Sequence, residues 1–164
     1  MEKIRNRNYT WSDPMEGFEK SKAIPGLEYL QAIQNGTIPG PPIFDTVDFL
    51  LFSVEKGQVV FEFFPKEFHY NPVGSVHGGI ITTILDSAIG CSLLSTLPAK
   101  FTFTTLELKI NFLRKISEES PVLKTNTKII HQGKTTALLE SDLVDPEGKV
   151  YAHAVSTCMI LQIP

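Results

Sequence analysis

The stretch Gly78-Gly79-Ile80-Ile81-Thr82-Thr83-Ile84-Leu85-Asp86-Ser87-Ala88-Ile89-Gly90-Cys91-Ser92-Leu93-Leu94 decides how the rest of the chain must fold. Its apolar positions Ile80, Ile81, Ile84, Leu85, Ala88 and Ile89 recur at spacings of one, three and four, which defines a helix with a broad buried face. The residues between them are Thr, Ser, Ala and Gly, and Asp86 is the only charge. A helix of about 17 residues is roughly 25 Å long. With almost no charged face, it must be surrounded by other structure. The sequence therefore predicts one long central helix.

The segments on either side supply the surround. After Pro98 the pattern changes to period two, with Leu106, Leu108, Ile110 and Phe112 alternating with Thr105, Glu107, Lys109 and Asn111, as in a half-buried strand. Strand-like runs follow at roughly 121 to 131, 135 to 144 and 149 to 162, broken by Gln132-Gly133 and by Asp145-Pro146-Glu147-Gly148. Upstream, residues 46 to 54 and 58 to 64 read as a hairpin turning at Glu55-Lys56-Gly57. Pro39-Gly40-Pro41-Pro42 predicts a turn or extended segment, and Leu27, Leu30 and Ile33 predict a short helix stopped by Asn35-Gly36. Residues 1 to 22 carry weak periodicity, with a short helix expected around Pro14 to Lys20. The economical architecture is α+β, a meandering antiparallel sheet around the long helix, with an N-terminal extension (1–25) before a single domain (26–164).

Composition narrows the function. Fifteen Lys and Arg against eighteen Asp and Glu give a net charge of −3 with no like-charge block, which argues against nucleic acid and for a small-molecule substrate. Met1 to Trp11, with Lys3, Arg5 and Arg7, lacks the apolar stretch of a signal peptide, and no run reaches the ~20 apolar residues of a membrane span. A cytoplasmic protein without membrane association is expected. Cys91 and Cys158 sit in apolar surroundings and read as reduced core residues, and the histidines show no metal-ligand spacing, so no metal is expected.

The residues that carry chemistry cluster around the helix start, Asn71-Pro72-Val73-Gly74-Ser75-Val76-His77-Gly78-Gly79. Helix N-termini present unpaired N–H groups and partial positive charge, so Gly78 can donate to an oxyanion with no Cβ in the way. Asp86 lies seven residues after Gly79, within roughly 20° of the same helix direction but two turns and ~11 Å along the axis. That reach is long for one chain, which favours a site shared between two subunits. An acid in an uncharged helix is costly unless paired, so Asp86 is either functional or a buried acid that caps another backbone segment or pairs with a base. His77 either orients the loop and ligand or only caps the helix. Asn71 either donates its amide to a carbonyl or makes an ordinary Asn-Pro turn, and Thr105 either positions water or is plain strand chemistry.

These three motifs, the Asn71 to Gly79 loop, Leu85-Asp86-Ser87 and the strand Thr105 to Arg114, resemble hot-dog-fold thioesterases of the PaaI type over roughly residues 26 to 162. The resemblance implies an acyl-CoA thioesterase with a hot-dog fold, an antiparallel sheet wrapped around one long central helix. It implies Asp86 as nucleophile or general base, Gly78 and Asn71 polarising the thioester carbonyl, His77 holding the loop and Thr105 placing water. Gly79, Asn111, Arg114 and Lys115 would contact substrate along a subunit interface of a homodimer or homotetramer. Coenzyme A would be part of the substrate, so no cofactor is implied. The extension with Trp11 is longer than the minimal fold requires and either covers the acyl pocket or decorates the surface. Two other readings are a hot-dog acyl-thioester dehydratase or hydratase, which needs a His and an acid as a proton-transfer pair, and a non-catalytic acyl-CoA-binding protein, which gains nothing from a buried carboxylate.

Overall fold

The computed structural model describes residues 4–163. Lys3 of the basic N-terminal segment and the outermost residues of the expected extension and domain lie outside the described residues. The elements run α1 (Pro14–Ser21), α2 (Gly26–Gln34), α3 (Pro42–Val47), β1 (Phe49–Glu55), β2 (Gln58–Phe63), α4 (Gly78–Leu94), β3 (Phe101–Phe112), β4 (Leu123–Gln132), β5 (Thr136–Val144) and β6 (Val150–Gln162). The strands form one antiparallel sheet in the order β1-β2-β4-β5-β6-β3. Ile84, Leu85, Ala88, Ile89 and Leu93 of α4 are fully buried against it. This is the hot-dog fold, a sheet curled around one long helix.

The curl has a local cause. β2 and β4 pair only at Glu62 with Lys124 and at Phe63 with Leu123, then part. Splitting a ladder strands backbone N–H groups, and buried ones need partners. The N–H groups of Gly57, Val59 and Phe61 donate instead to hydroxyls of Ser95 (2.8 Å), Ser92 (3.0 Å) and Thr125 (2.9 Å). Ser92 of α4 and Ser95 just past its end thus tie β2 and its turn to the helix, while Thr125 reaches across from β4. Nearby, the rings of Phe44, Phe49 and Phe61 meet with centroids 5.0 to 5.2 Å apart, mostly edge to face, closing the core under β1 and β2.

Two sequence expectations need correction. Pro41 is extended as expected, but Pro42 opens α3 rather than prolonging a turn, because proline's missing N–H and fixed φ suit a first helical turn. The first strand consequently starts at Phe49, after Asp48 ends α3 in the left-handed conformation at φ 64°. The second correction concerns β3, which begins at Phe101 and is interrupted by a bulge at Leu106 between the pairs Thr105 with Cys158 and Glu107 with Thr157. A bulge shifts the side-chain alternation by one. Leu106 is 52% exposed, while Thr105 turns inward with Phe103, opposite buried Cys158. The hydroxyl of buried Ser156 fills the bulge by donating to the Glu107 carbonyl at 2.7 Å.

The N-terminal elements are bound to this frame. The Gly26 N–H donates to the Leu97 carbonyl at 3.0 Å, and a Cβ at Gly26 would overlap the Leu94 carbonyl, so α2 can meet the end of α4 only through glycine. Arg7 donates to the carbonyls of Asp45 and Thr46 at the end of α3 and lies 4.3 Å over the Phe68 ring. No helix among the described residues is long and apolar enough to cross a membrane.

Candidate active site

The start of α4 is built from a knotted loop. Asn71 Oδ1 accepts from the N–H groups of Val73 (3.0 Å) and Ser75 (3.2 Å), and its Nδ2 donates to Ser75 Oγ at 2.9 Å. One N–H of that amide therefore closes the turn, and the other is left for the cleft. Gly74 supplies the left-handed turn residue at φ 72°. The Val76 N–H donates to Ile116 and the His77 N–H to His69, each at 2.8 Å, fastening the loop to both neighbours.

His77 is the N-cap of α4, and its Nδ1 accepts from the Gly79 N–H at 2.9 Å. A neutral imidazole accepting at Nδ1 carries its proton at Nε2. The cap consumes the Gly79 amide and leaves that of Gly78, which has no acceptor among the described residues. A Cβ on Gly78 would stand 3.0 Å from Cζ of Phe112, so the absent side chain is what lets the aromatic ring cover the helix start. Asn71, Gly78, Phe112, Arg114 and Lys115 line one cleft of about 400 Å³.

Asp86 lies elsewhere on the same helix. It is eight residues beyond Gly78, a rise of ~12 Å. Its Oδ1 accepts from Thr105 Oγ1 at 2.8 Å, an arrangement made possible by the bulge that turns Thr105 inward. Thr105 is the one hydrogen-bond partner of this carboxylate among the described residues. Burial, reinforced by Asp86, pushes the Cys91 thiol up to about 12, and burial likewise raises that of Cys158. Raised in this way, both sulfurs stay protonated thiols rather than activated nucleophiles.

The structure thus gathers Asn71, Gly78, Arg114 and Lys115 at one cleft, with His77 and Gly79 capping the helix beside it, and Asp86 with Thr105 two turns away. Arg114 also donates to the Val150 carbonyl, which fixes its stem at the cleft edge. Asn111 is paired with His153 on the outer face of the sheet and is not among the cleft residues of this chain. The period-two pattern puts Phe112 on the apolar face of a half-buried strand, whereas in the structure it is 54% exposed over Gly78. Sequence reading also missed His69, whose role depends on contacts distant in sequence. No group of three or more His, Cys, Asp or Glu is placed to hold a metal ion among the described residues.

His69 ties the loop to the N-terminal arm. Its Nδ1 accepts from the Lys66 N–H at 3.0 Å, so Nε2–H donates to the Val47 carbonyl at 2.7 Å. Burial holds its imidazolium below the ordinary histidine value of 6.5, outweighing the Val47 carbonyl and Asp48, which favour the charge. The unfolded chain therefore binds this proton more readily than the folded one. The stability gained from neutral His69 is fully present above pH 6.5 and is lost as pH falls through the lower folded value. Melting curves at pH 7.5 and 5.5 check this: the melting temperature of the parent should fall further on acidification than that of His69→Gln.

A six-stranded antiparallel sheet curled on one long helix defines a hot-dog protein. The chain belongs to the thioesterase superfamily, whose family model matches residues 73–152. A protein of Saccharolobus solfataricus assigned as an esterase is 31% identical over 133 residues, 81% of this chain and 93% of that protein. The 1,4-dihydroxy-2-naphthoyl-CoA hydrolase of Listeria monocytogenes is 26% identical over 116 residues, 71% of this chain and 91% of that one. Among solved structures, a phenylacetic acid degradation-related protein of Ralstonia eutropha, described as a thioesterase, superposes with a TM-score of 0.71 at 26% identity, covering 80% of this chain and 98% of that one.

Proposed function

We propose that this chain hydrolyses an acyl-CoA thioester to a free acid and coenzyme A, at a site completed by two copies of the chain. The observation that carries the reading is the separation of parts along α4. An unpartnered Gly78 N–H suited to a developing oxyanion sits at the helix start, and the carboxylate that would drive attack sits ~12 Å further on. The strand β3 is an edge of the sheet, twelve residues long, with Leu106 and Phe112 exposed on it and exposed Leu113 just beyond its end. Long apolar edges pair with another chain, and a two-fold pairing there would bring Gly78 of one copy toward Asp86 of the other.

In this site the Gly78 N–H, joined by the second amide hydrogen of Asn71, polarises the thioester carbonyl. Asp86, oriented by Thr105, takes a proton from water as it adds to the carbonyl carbon, or adds itself to give an anhydride that water then opens. The C–S bond breaks, and the coenzyme A thiolate takes up a proton. His77 keeps the loop in place, Gly79 closes the cap, and Arg114 and Lys115 offer positive charge to coenzyme A phosphates. The Listeria relative acts, by its name, on an acyl-CoA, which agrees with this substrate class.

The test is release of free thiol from a panel of acyl-CoAs by the purified full chain. Turnover on at least one member is expected. Binding without turnover across the panel would overturn the proposal in favour of a non-catalytic binding protein.

A further inference from the structure

The bulge in β3 decides which side chain meets Asp86. Thr105 pairs with Cys158 and Leu108 with Ser156, so between those pairs β3 advances three residues while β6 advances two, and Leu106 is the extra one. A bulge set one residue earlier would fit the same ladder: Leu106 would then face Cys158, and Thr105 would turn outward. Burial of Leu106, half-exposed where it stands, favours that slip. The slip would also take from the Asp86 carboxylate the Thr105 hydroxyl, its one hydrogen-bond partner among the described residues.

Two small side chains stand behind the bulge. Ser156 and Cys158, two apart on the inward face of β6, are fully buried and straddle the extra residue. Ser156 Oγ donates at 2.7 Å to the carbonyl of Glu107, the residue on which pairing resumes. Cys158 Sγ sits between the two hydroxyls, 3.8 Å from Ser156 Oγ and within hydrogen-bonding reach of Thr105. The Ser156 and Thr105 hydroxyl protons are committed to the Glu107 carbonyl and to Asp86, so the thiol bridges them with its weak S–H donor. A buried chain of contacts thus runs from the Glu107 carbonyl through Ser156, Cys158 and Thr105 to the Asp86 carboxylate. Ser156, at its far end, is not among the residues lining the cleft.

Resting on the hydrolase reading above, we propose that Ser156 is a positioning residue for the Asp86 carboxylate. Its hydroxyl holds Glu107 and so keeps the bulge on Leu106, which turns Thr105 inward to orient Asp86 for attack on the thioester. Loss of that hydroxyl leaves the Glu107 carbonyl without this partner and removes the bar to the slip. Ser156 is thereby tied to kcat and not to the binding of acyl-CoA.

Thiol release from acetyl-, hexanoyl-, dodecanoyl- and benzoyl-CoA, read on whichever the parent turns over fastest, tests this. Ser156→Ala should lower kcat by ~10-fold or more with KM within ~2-fold of the parent, because a displaced carboxylate spoils attack without weakening the grip on substrate. Ser156→Thr keeps the hydroxyl and should stay within ~3-fold of the parent kcat. The double variant decides between positioning and mere structural support. Thr105→Val alone should lower kcat, and adding Ser156→Ala to it should lower kcat by no more than ~2-fold further, since a residue acting through Thr105 then has nothing to act on. If Ser156→Ala does not fold by its melting curve, Ser156→Cys, with its weaker S–H donor, replaces it throughout. A parent-like kcat in Ser156→Ala or in Thr105→Val overturns the inference, as does a Ser156→Ala loss that repeats in full on the Thr105→Val background, while the hydrolase reading stands. A parent inactive on every acyl-CoA overturns the hydrolase reading itself and this inference with it.

Discussion

Asp86→Asn should lower kcat by at least ~10³-fold while leaving the dissociation constant for acyl-CoA within a few-fold of the parent. The substitution keeps an oxygen for the Thr105 hydroxyl, which donates to Oδ1 at 2.8 Å, so the bulged strand and the helix keep their contact. It removes only the charge and basicity that attack requires. Asp86→Ala should lose as much activity but also leave the Thr105 hydroxyl without its partner, at about 1–2 kcal/mol of stability. Thiol-release kinetics, paired with melting curves, separate the two effects. Either variant turning over like the parent would rule out Asp86 as the reacting group.

Gly78→Pro should be nearly as damaging, for a different reason. Gly78 is the first residue of α4, where proline is well accepted because the helix needs no N–H there. His77 precedes it at φ −63° and ψ 135°, a conformation compatible with a following proline. The change therefore deletes the proposed oxyanion donor and keeps the helix. Loss of one such donor lowers kcat by ~10² to 10³-fold. Gly78→Ala is the control, since it adds a Cβ against the Phe112 ring, 3.0 Å away and half-exposed, but retains the N–H. Its loss should be much smaller. Equal losses in the two variants would mean that crowding at Phe112, rather than the amide, governs the rate.

How much of this was readable beforehand depended on range. The limits of α4 follow from local pattern, because Gly78-Gly79 opens the helix and its apolar positions have one period throughout. The hairpin and the later strands follow from turn residues at Gly57, Gly133 and Gly148. The inward turn of Thr105 was hidden, since a bulge has no signature in an unbroken alternation of Thr105 to Phe112, and the Ser156 hydroxyl that fills it is 49 residues away. The helix at Pro42 was hidden because proline is as suited to a first helical turn as to a bend. Asp86 stood out as a lone charge, whereas its partner Thr105 looked like any strand threonine until the register was known.

In the proposed hydrolase, Gly78 of one chain and Asp86 of another complete each site. This arrangement is tested by co-expressing Asp86→Asn and Gly78→Pro with different tags and purifying the doubly tagged dimer. In a two-fold dimer of these variants one site combines an intact Gly78 with an intact Asp86, and the other lacks both. Thiol release at about half the parent rate, from two variants each inactive alone, is the expected result. A doubly tagged dimer no more active than the separate variants, or the failure of any such dimer to form, would contradict it.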